Sequence, residues 1–153
     1  MNDDVNRELL VQYLRGGLAY RTLNDLIENF PVEKINKKIP GIEYTPYQLM
    51  EHIRIAQWDI LEFVKDQNHQ SPDWPEGFWP DQSFEADVTD WDKSVKQFFT
   101  DLNELESIVR DENITLTDVL PEHDSFTYFR EIVMAIVHNA YHLGQLALFS
   151  KAE

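Results

Sequence analysis

The sequence predicts an all-α protein with the architecture of a four-helix bundle. Four stretches place apolar residues three and four positions apart, which is the spacing of one helix face. No stretch has the two-residue alternation of a half-buried strand. A length of 153 residues is enough for one domain with a sizeable buried core, so we expect a single helical bundle domain over residues 1–153.

The first predicted helix runs from about Asp3 to Asn29, and Pro31 helps to end it. Gly16 and Gly17 interrupt its apolar stripe, and each glycine costs about 1 kcal/mol relative to alanine inside a helix. We expect the two glycines to permit the close approach of a neighbouring helix rather than to bind a ligand.

The second predicted helix has a clear start signal. Thr45 can cap the helix, Pro46 suits the first helical position, and Gln48 completes a Thr-x-x-Gln capping box. The helical pattern then continues to about Asp66.

The rest of the chain predicts a long connection and two further helices. Residues 67–88 contain three prolines and no helical period, so they connect the second helix to the third. The third helix begins near Thr89 and has an apolar seam in alternating steps of four and three, as the helices of bundles do. The fourth runs from about Thr127 to Phe149.

The composition excludes several classes of function. The formal charge is −15, with 28 acidic against 13 basic residues, so the chain would repel a nucleic-acid backbone. Cysteine is absent, which removes disulfides, thiolate metal ligands and a cysteine nucleophile. The N-terminus has no apolar signal segment and no later run approaches membrane-spanning length. We therefore expect a cytoplasmic protein with neither nucleic acid nor a membrane as a partner.

Two of the five histidines lie close together in the fourth predicted helix, in the sequence VHNAYHLGQL. His138 and His142 are four positions apart, so they share one helix face at about 6 Å and can hold one metal ion. His52 is the best third donor, because an antiparallel pairing of the second and fourth helices brings it to the height of His142. The same pairing places His69 and His123 at the opposite end of the bundle. Three histidines leave an open coordination position, which is typical of catalytic zinc; for His52, a satisfied core histidine is the alternative.

Two better-known metal motifs do not fit these histidines. A zincin needs glutamate directly after the first histidine, and Asn139 stands there. A di-iron bundle needs Glu-x-x-His pairs, but Ala135 and Leu49 stand where glutamate would have to precede His138 and His52. A mononuclear site is the interpretation that remains.

With these motifs the chain resembles the DinB-like (YfiT-type) family of metal-dependent bundle proteins. The resemblance rests on QLMEHI around His52 and on HNAYHLGQ from His138 to Gln145, and through the four-helix layout and the WP-rich connection it covers nearly the whole chain. It implies an up-down-down-up bundle in which the long connection makes the second and third helices parallel. It also implies one divalent metal ion, usually zinc or nickel, held by His52, His138 and His142.

The resemblance implies a function as well. Relatives include transferases and isomerases that use a low-molecular-weight thiol such as bacillithiol or mycothiol, and the family name refers to induction under stress. We therefore expect a metal-dependent transferase that joins a low-molecular-weight thiol to a small-molecule electrophile, since a metal favours the thiolate form of a bound thiol. The alternative is a non-catalytic binding or structural module stapled by its metal. No protein residue is assigned a catalytic role, and a homodimer is left open.

Other residues near the histidines have two interpretations. Gln145 either orients a ligand or a histidine's second nitrogen, or it only packs. Glu131 and Asp59 each lie two helical turns from a histidine, so neither is a strong candidate for a general base. Five aromatic residues could wall a substrate pocket, although those of the connection more often pin such a loop to the bundle; they are Tyr44, Tyr47, Trp74, Phe78 and Trp79.

Overall fold

The computed structural model describes residues 3–66 and 68–152 of the chain. Within these ranges the regular structure is helical, and it consists of α1 (Asp3–Arg15), α2 (Leu23–Ile27), α3 (Pro46–Lys65), α4 (Val88–Arg110) and α5 (Tyr128–Lys151). The extended pairing found in the described part of the chain is one isolated bridge between Val119 and Thr127. The prediction of an all-α protein is confirmed.

The contacts between α3 and α4 establish that these two helices are parallel. The Ser94 hydroxyl donates to Glu51 near the start of both helices. Further along, Lys65 forms an ion pair with Glu104 near the end of both. The two contacts advance in the same direction along each chain segment, as expected for helices joined by a long connection.

Two other pairs, α3 with α5 and α1 with α4, are antiparallel. In α3 and α5, His52 lies beside His142, whereas the later Gln57 bonds to the earlier Asn139. Arg110, which ends α4, pairs with Glu8 of α1. Arg15, which ends α1, bonds instead to Asn103 and Glu106, more than a turn earlier in α4. These directions give the up-down-down-up bundle that the resemblance implied.

The predicted first helix, from Asp3 to Asn29, is wrong in its second half. Gly16 and Gly17 have φ of 71° and 91°, the left-handed conformation with which helices commonly end, so α1 stops just before them. A Cβ added at Gly16 would lie 2.9 Å from the ring of Tyr20. The glycines therefore turn the chain and do not serve helix–helix approach, and the helix resumes as α2 after the cap residue Thr22.

Helices α3, α4 and α5 begin within one residue of the predicted starts at Thr45, Thr89 and Thr127. The Thr45 hydroxyl accepts from the Gln48 backbone N–H, and the Gln48 side chain accepts from the Thr45 N–H, which completes the capping box. The amide of Gln48 also donates to two backbone carbonyls of the connection, at Asp81 and Gln82. The start of α3 and the long connection are thus joined at the same end of the bundle.

Helix α5 is long and apolar enough to cross a membrane by length and composition alone, which the sequence analysis did not expect. In the structure it packs against α1, α2 and α3 and contributes fully buried residues such as Leu143 and Leu146 to the core. It also carries the buried Glu131 in its first turn. The core helix of a bundle passes the same test of length and hydropathy.

Candidate metal centre

The structure brings His52, His138 and His142 together on the facing surfaces of α3 and α5. The Nε2 atom of His52 lies 3.2 Å from the Nε2 atoms of both His138 and His142. One ligand atom from each residue lies within 4.8 Å of the other two. His69 and His123, which the sequence analysis set aside, do not join this cluster.

These separations fit a metal ion. Imidazole nitrogens bind zinc at about 2.0–2.1 Å, so two of them in a tetrahedral arrangement lie about 3.3 Å apart. The two measured distances of 3.2 Å are close to that value.

Hydrogen bonds fix which nitrogen of two histidines faces the centre of the cluster. His52 Nδ1 lies 2.9 Å from the carbonyl oxygen of Phe78, and His142 Nδ1 lies 2.8 Å from Oε1 of Gln145. Both oxygens only accept, so both Nδ1 atoms carry the proton and donate it. The Nε2 lone pairs then point toward each other at 3.2 Å, an arrangement that a cation between them relieves. Gln145 thus orients a histidine, which is one of its two predicted roles.

His138 is held differently. Its Nδ1 is buried and has no hydrogen-bond partner of good geometry within the described residues. Burial, with smaller contributions from the neighbouring His142 and His52, lowers the pKa of His138 to about 4. Burial also lowers the pKa values of His52 and His142. All three imidazoles are therefore neutral near pH 7, which is the form that binds a metal.

Three long-range contacts, made by Gln57 and Trp79, set the orientation of the helices and rings at this cluster. The buried Gln57 of α3 donates to the Phe98 carbonyl of α4 and accepts from the Asn139 amide of α5, which fixes the rotation of α5 beside His138. Trp79, from the long connection, stacks on the ring of His52 with centroids 4.0 Å apart and planes 3° from parallel. The connection therefore supports His52 on its face as well as at Nδ1.

An open pocket of about 410 Å³ lies against the three histidines. Its other lining residues are Ala56, Asp59, Ile60, Trp74, Phe78 and Trp79. Three of the five aromatic residues that were candidates for a pocket wall therefore line it. Trp79 also pins the connection to α3 through His52, whereas Trp74 is 73% exposed and packs on Phe78 of the same connection. Tyr44 and Tyr47 are not in this lining; Tyr44 packs behind it on Trp79, at 5.1 Å between centroids.

The cluster has no fourth ligand among the described residues. The group of histidine, aspartate and glutamate side chains close enough to share an ion there consists of the three histidines alone. Glu131 is not part of it; it is buried in the first turn of α5, where it pairs with Arg130, as expected of a charge at the end of the bundle. The three imidazoles and the pocket together resemble a site with one open coordination position.

A family model described as the DinB superfamily matches residues 17–146. The chain belongs to the DinB superfamily. The matched residues include all three clustered histidines and the long connection that supports His52. No curated protein and no solved structure matches the chain.

Sequence reasoning did not predict several contacts of this DinB-superfamily site. The Phe78 carbonyl and the Trp79 ring contact His52, although they are 26 and 27 positions later in the sequence. No local sequence pattern predicts such contacts. Gln57 could have been found, because it is a polar residue one helical turn after the apolar Ile53 and so lies on the buried side of α3. Asp59 was placed two turns from His52 but was not expected to face the same pocket.

Proposed function

We propose that this protein is a metal-dependent enzyme whose one divalent ion, zinc or nickel, is held by His52, His138 and His142. The observation that supports this most strongly is that the Nε2 atom of His52 lies 3.2 Å from those of His138 and His142, while His52 and His142 donate their Nδ1 protons outward. Imidazole nitrogen suits both metals, and the absence of cysteine fits a site built from nitrogen ligands.

We further propose that the reaction joins a low-molecular-weight thiol of the cytoplasm to a small electrophile. When bound, the metal would favour the thiolate form of the thiol, which is the nucleophilic form. In the transfer, a bond forms from sulfur to the electrophilic carbon, the bond from that carbon to its leaving group breaks with both electrons, and the thiol proton passes to solvent. The chain contains no cysteine, so the thiol has to come from a small molecule.

The protein's own residues have definite parts in this scheme. Phe78 and Gln145 hold the rings of His52 and His142 with their lone pairs inward. Trp79 supports the face of His52, while Trp74 and Ile60 supply apolar walls that suit the uncharged part of an electrophile. Apolar walls also reduce access of water, which would compete with the thiol for the electrophile.

A second candidate is a non-catalytic module in which the metal staples α3 to α5. The position of the cluster between these two helices favours it. Structural zinc usually has four protein ligands, whereas the described residues offer three and leave a pocket beside them. We therefore rank the enzyme first.

The first test measures the metal content of the protein. Protein purified without a nickel column should contain about one zinc or nickel per chain by elemental analysis, the stoichiometry expected of a mononuclear site. The His138→Ala, His142→Ala double variant should lose the metal, whereas His123→Ala, outside the cluster, should keep it. Equal metal in the double variant and the wild type would contradict the assignment.

The loaded protein is then assayed with a panel of low-molecular-weight thiols and a generic electrophile, with and without chelator. A rate that depends on both thiol and metal supports the transferase. If protein that holds its metal shows no such rate with any thiol, the transferase is contradicted and the non-catalytic module is favoured.

A further inference from the structure

Among the described residues, one more polar side chain lines the pocket beside the histidines, that of Asp59. Apart from the three imidazoles, the residues that line the pocket are aliphatic or aromatic except for this carboxylate. The Asp59 side chain is 14% exposed, so its charge is mostly shielded from solvent. A charged group on an otherwise apolar wall is costly unless it has a partner, so this carboxylate requires an explanation.

Part of the explanation is His69, in the long connection. His69 Nε2 lies 2.7 Å from Asp59 Oδ1, and the His69 side chain is 11% exposed. The edge of the His69 ring meets the ring of Trp58, with centroids 5.4 Å apart. The pair holds the carboxylate in one orientation, but His69 uses only one of the roughly four hydrogen bonds that a carboxylate can accept.

The position of Asp59 indicates what could use the hydrogen bonds that its carboxylate is still free to accept. Asp59 is seven residues after His52 on α3, which is about 10 Å along the helix axis. That distance is too long for metal coordination. Ala56 and Ile60 line the wall on α3, and Trp74 and Phe78 contribute from the connection. The pocket therefore has one polar end at the histidines, an apolar middle, and a second polar end at Asp59.

We propose that Asp59 is a specificity-determining residue that binds a primary ammonium group at the far end of the substrate, with His69 as its positioning residue. This rests on the proposed function, because the other end of the same substrate carries the thiol that reaches the histidines. A carboxylate forms a strong, charge-assisted hydrogen bond with an ammonium, and the exposed ring of Trp74 can add a cation–π contact. The substrate class is an amino-thiol with an apolar spacer.

A purely structural role is the competing explanation, since the Asp59–His69 pair also ties the connection to α3. Loosening the connection would weaken every ligand of the pocket to a similar degree. Recognition of an ammonium would instead weaken only ligands that carry one. The difference in affinity between charged and neutral ligands of equal length therefore separates the two roles.

The experiment is isothermal titration of the metal-loaded protein with 6-aminohexane-1-thiol and hexane-1-thiol. The six-carbon chain is long enough to extend from the histidines toward Asp59. We expect the wild type to bind the amino-thiol about tenfold or more tightly than the plain thiol, since a hydrogen bond to a charged group contributes at least one factor of ten. Asp59→Asn should lose this preference, and 2-aminoethanethiol, which is too short, should have little of it.

Glu62→Gln is the matched control, because it removes the same charge from α3 at a partly exposed side chain paired with Lys65. It should keep the full preference for the amino-thiol. An equal preference in Asp59→Asn and Glu62→Gln would overturn the proposal, and so would equal binding of the two thiols by the wild type. Either result would leave the metal and the thiol chemistry intact.

A parallel titration with hexylamine and hexan-1-ol separates this proposal from the proposed function. These ligands have no thiol, so they test the Asp59 end alone. If no thiol binds in a metal-dependent way, the thiol function fails, but a hexylamine affinity that falls about tenfold in Asp59→Asn and not in Glu62→Gln still supports the ammonium site. Hexylamine binding that does not differ between the two variants overturns it.

Discussion

Replacing Gln145 by leucine should weaken metal binding while leaving the fold in place. The substitution keeps the approximate volume of the side chain but removes the oxygen that accepts from His142 Nδ1 at 2.8 Å. Without that partner the imidazole can rotate and can change its tautomer, so its Nε2 lone pair is no longer held toward the cluster. Loss of such a partner behind a metal ligand typically costs 10–100-fold in affinity, or about 1.4–2.8 kcal/mol.

The stability of the metal-free protein should change much less. Gln145 is only partly buried, and a single hydrogen bond contributes about 1 kcal/mol to the free energy of unfolding. Gln145→Glu should retain most of the affinity, because a carboxylate also accepts from His142 Nδ1. Gln12→Leu, at an exposed position of α1, is the control for an added apolar surface.

The assay is competition for zinc against a chromophoric chelator, with the free energy of unfolding measured by urea titration of the metal-free proteins. We expect the dissociation constant to rise by at least tenfold in Gln145→Leu alone, the lower bound for losing such a partner. A dissociation constant within about twofold of the wild type would refute the role assigned to Gln145, because it would fall well below that range.

Two further predictions concern pH and the glycines. Burial lowers the folded-state pKa of His138 to about 4, below the 6.5 of an ordinary histidine, so the unfolded chain binds more protons between these values. The metal-free protein should therefore have its full stability above pH 6.5 and lose stability as the pH falls toward 4, and His138→Leu should flatten this dependence in urea titrations at successive pH values. Gly16→Ala should lower the free energy of unfolding by about 1–2 kcal/mol, because φ is positive there, whereas Gly144→Ala, in mid-helix with open space at Cβ, should raise it by about 0.5–1 kcal/mol. Equal effects of the two alanines in thermal unfolding would contradict the conformational argument.

The parts of the fold that depend on local signals could be predicted from the sequence. The capping box of Thr45 and Gln48 and the apolar seam of α4 are encoded within a few residues, so the starts and faces of these helices were predictable. The first helix was mispredicted because its apolar stripe was extended through Gly16 and Gly17. Two adjacent glycines after a helical pattern are themselves a stop signal, since glycine adopts positive φ without strain.

The candidate site was predictable to the extent that helix geometry determines it. The spacing of His138 and His142, and the height of His52 in an antiparallel pair, follow from the rise of a helix. The contacts of Trp79 with His52 and of His69 with Asp59 were not predictable, because they depend on the path of a long connection that has no period. That path determines the pocket, so the sequence indicated the metal ligands but not the shape of the substrate site.

The proposed metal centre has three histidine ligands and an open position toward the pocket. X-ray absorption spectroscopy of the metal-loaded protein, before and after addition of a low-molecular-weight thiol, tests it most directly. We predict three imidazole nitrogens at about 2.0–2.1 Å and, once the thiol is added, one new sulfur at about 2.3 Å. A fourth protein ligand with no change on addition of thiol would contradict the claim and favour a structural metal.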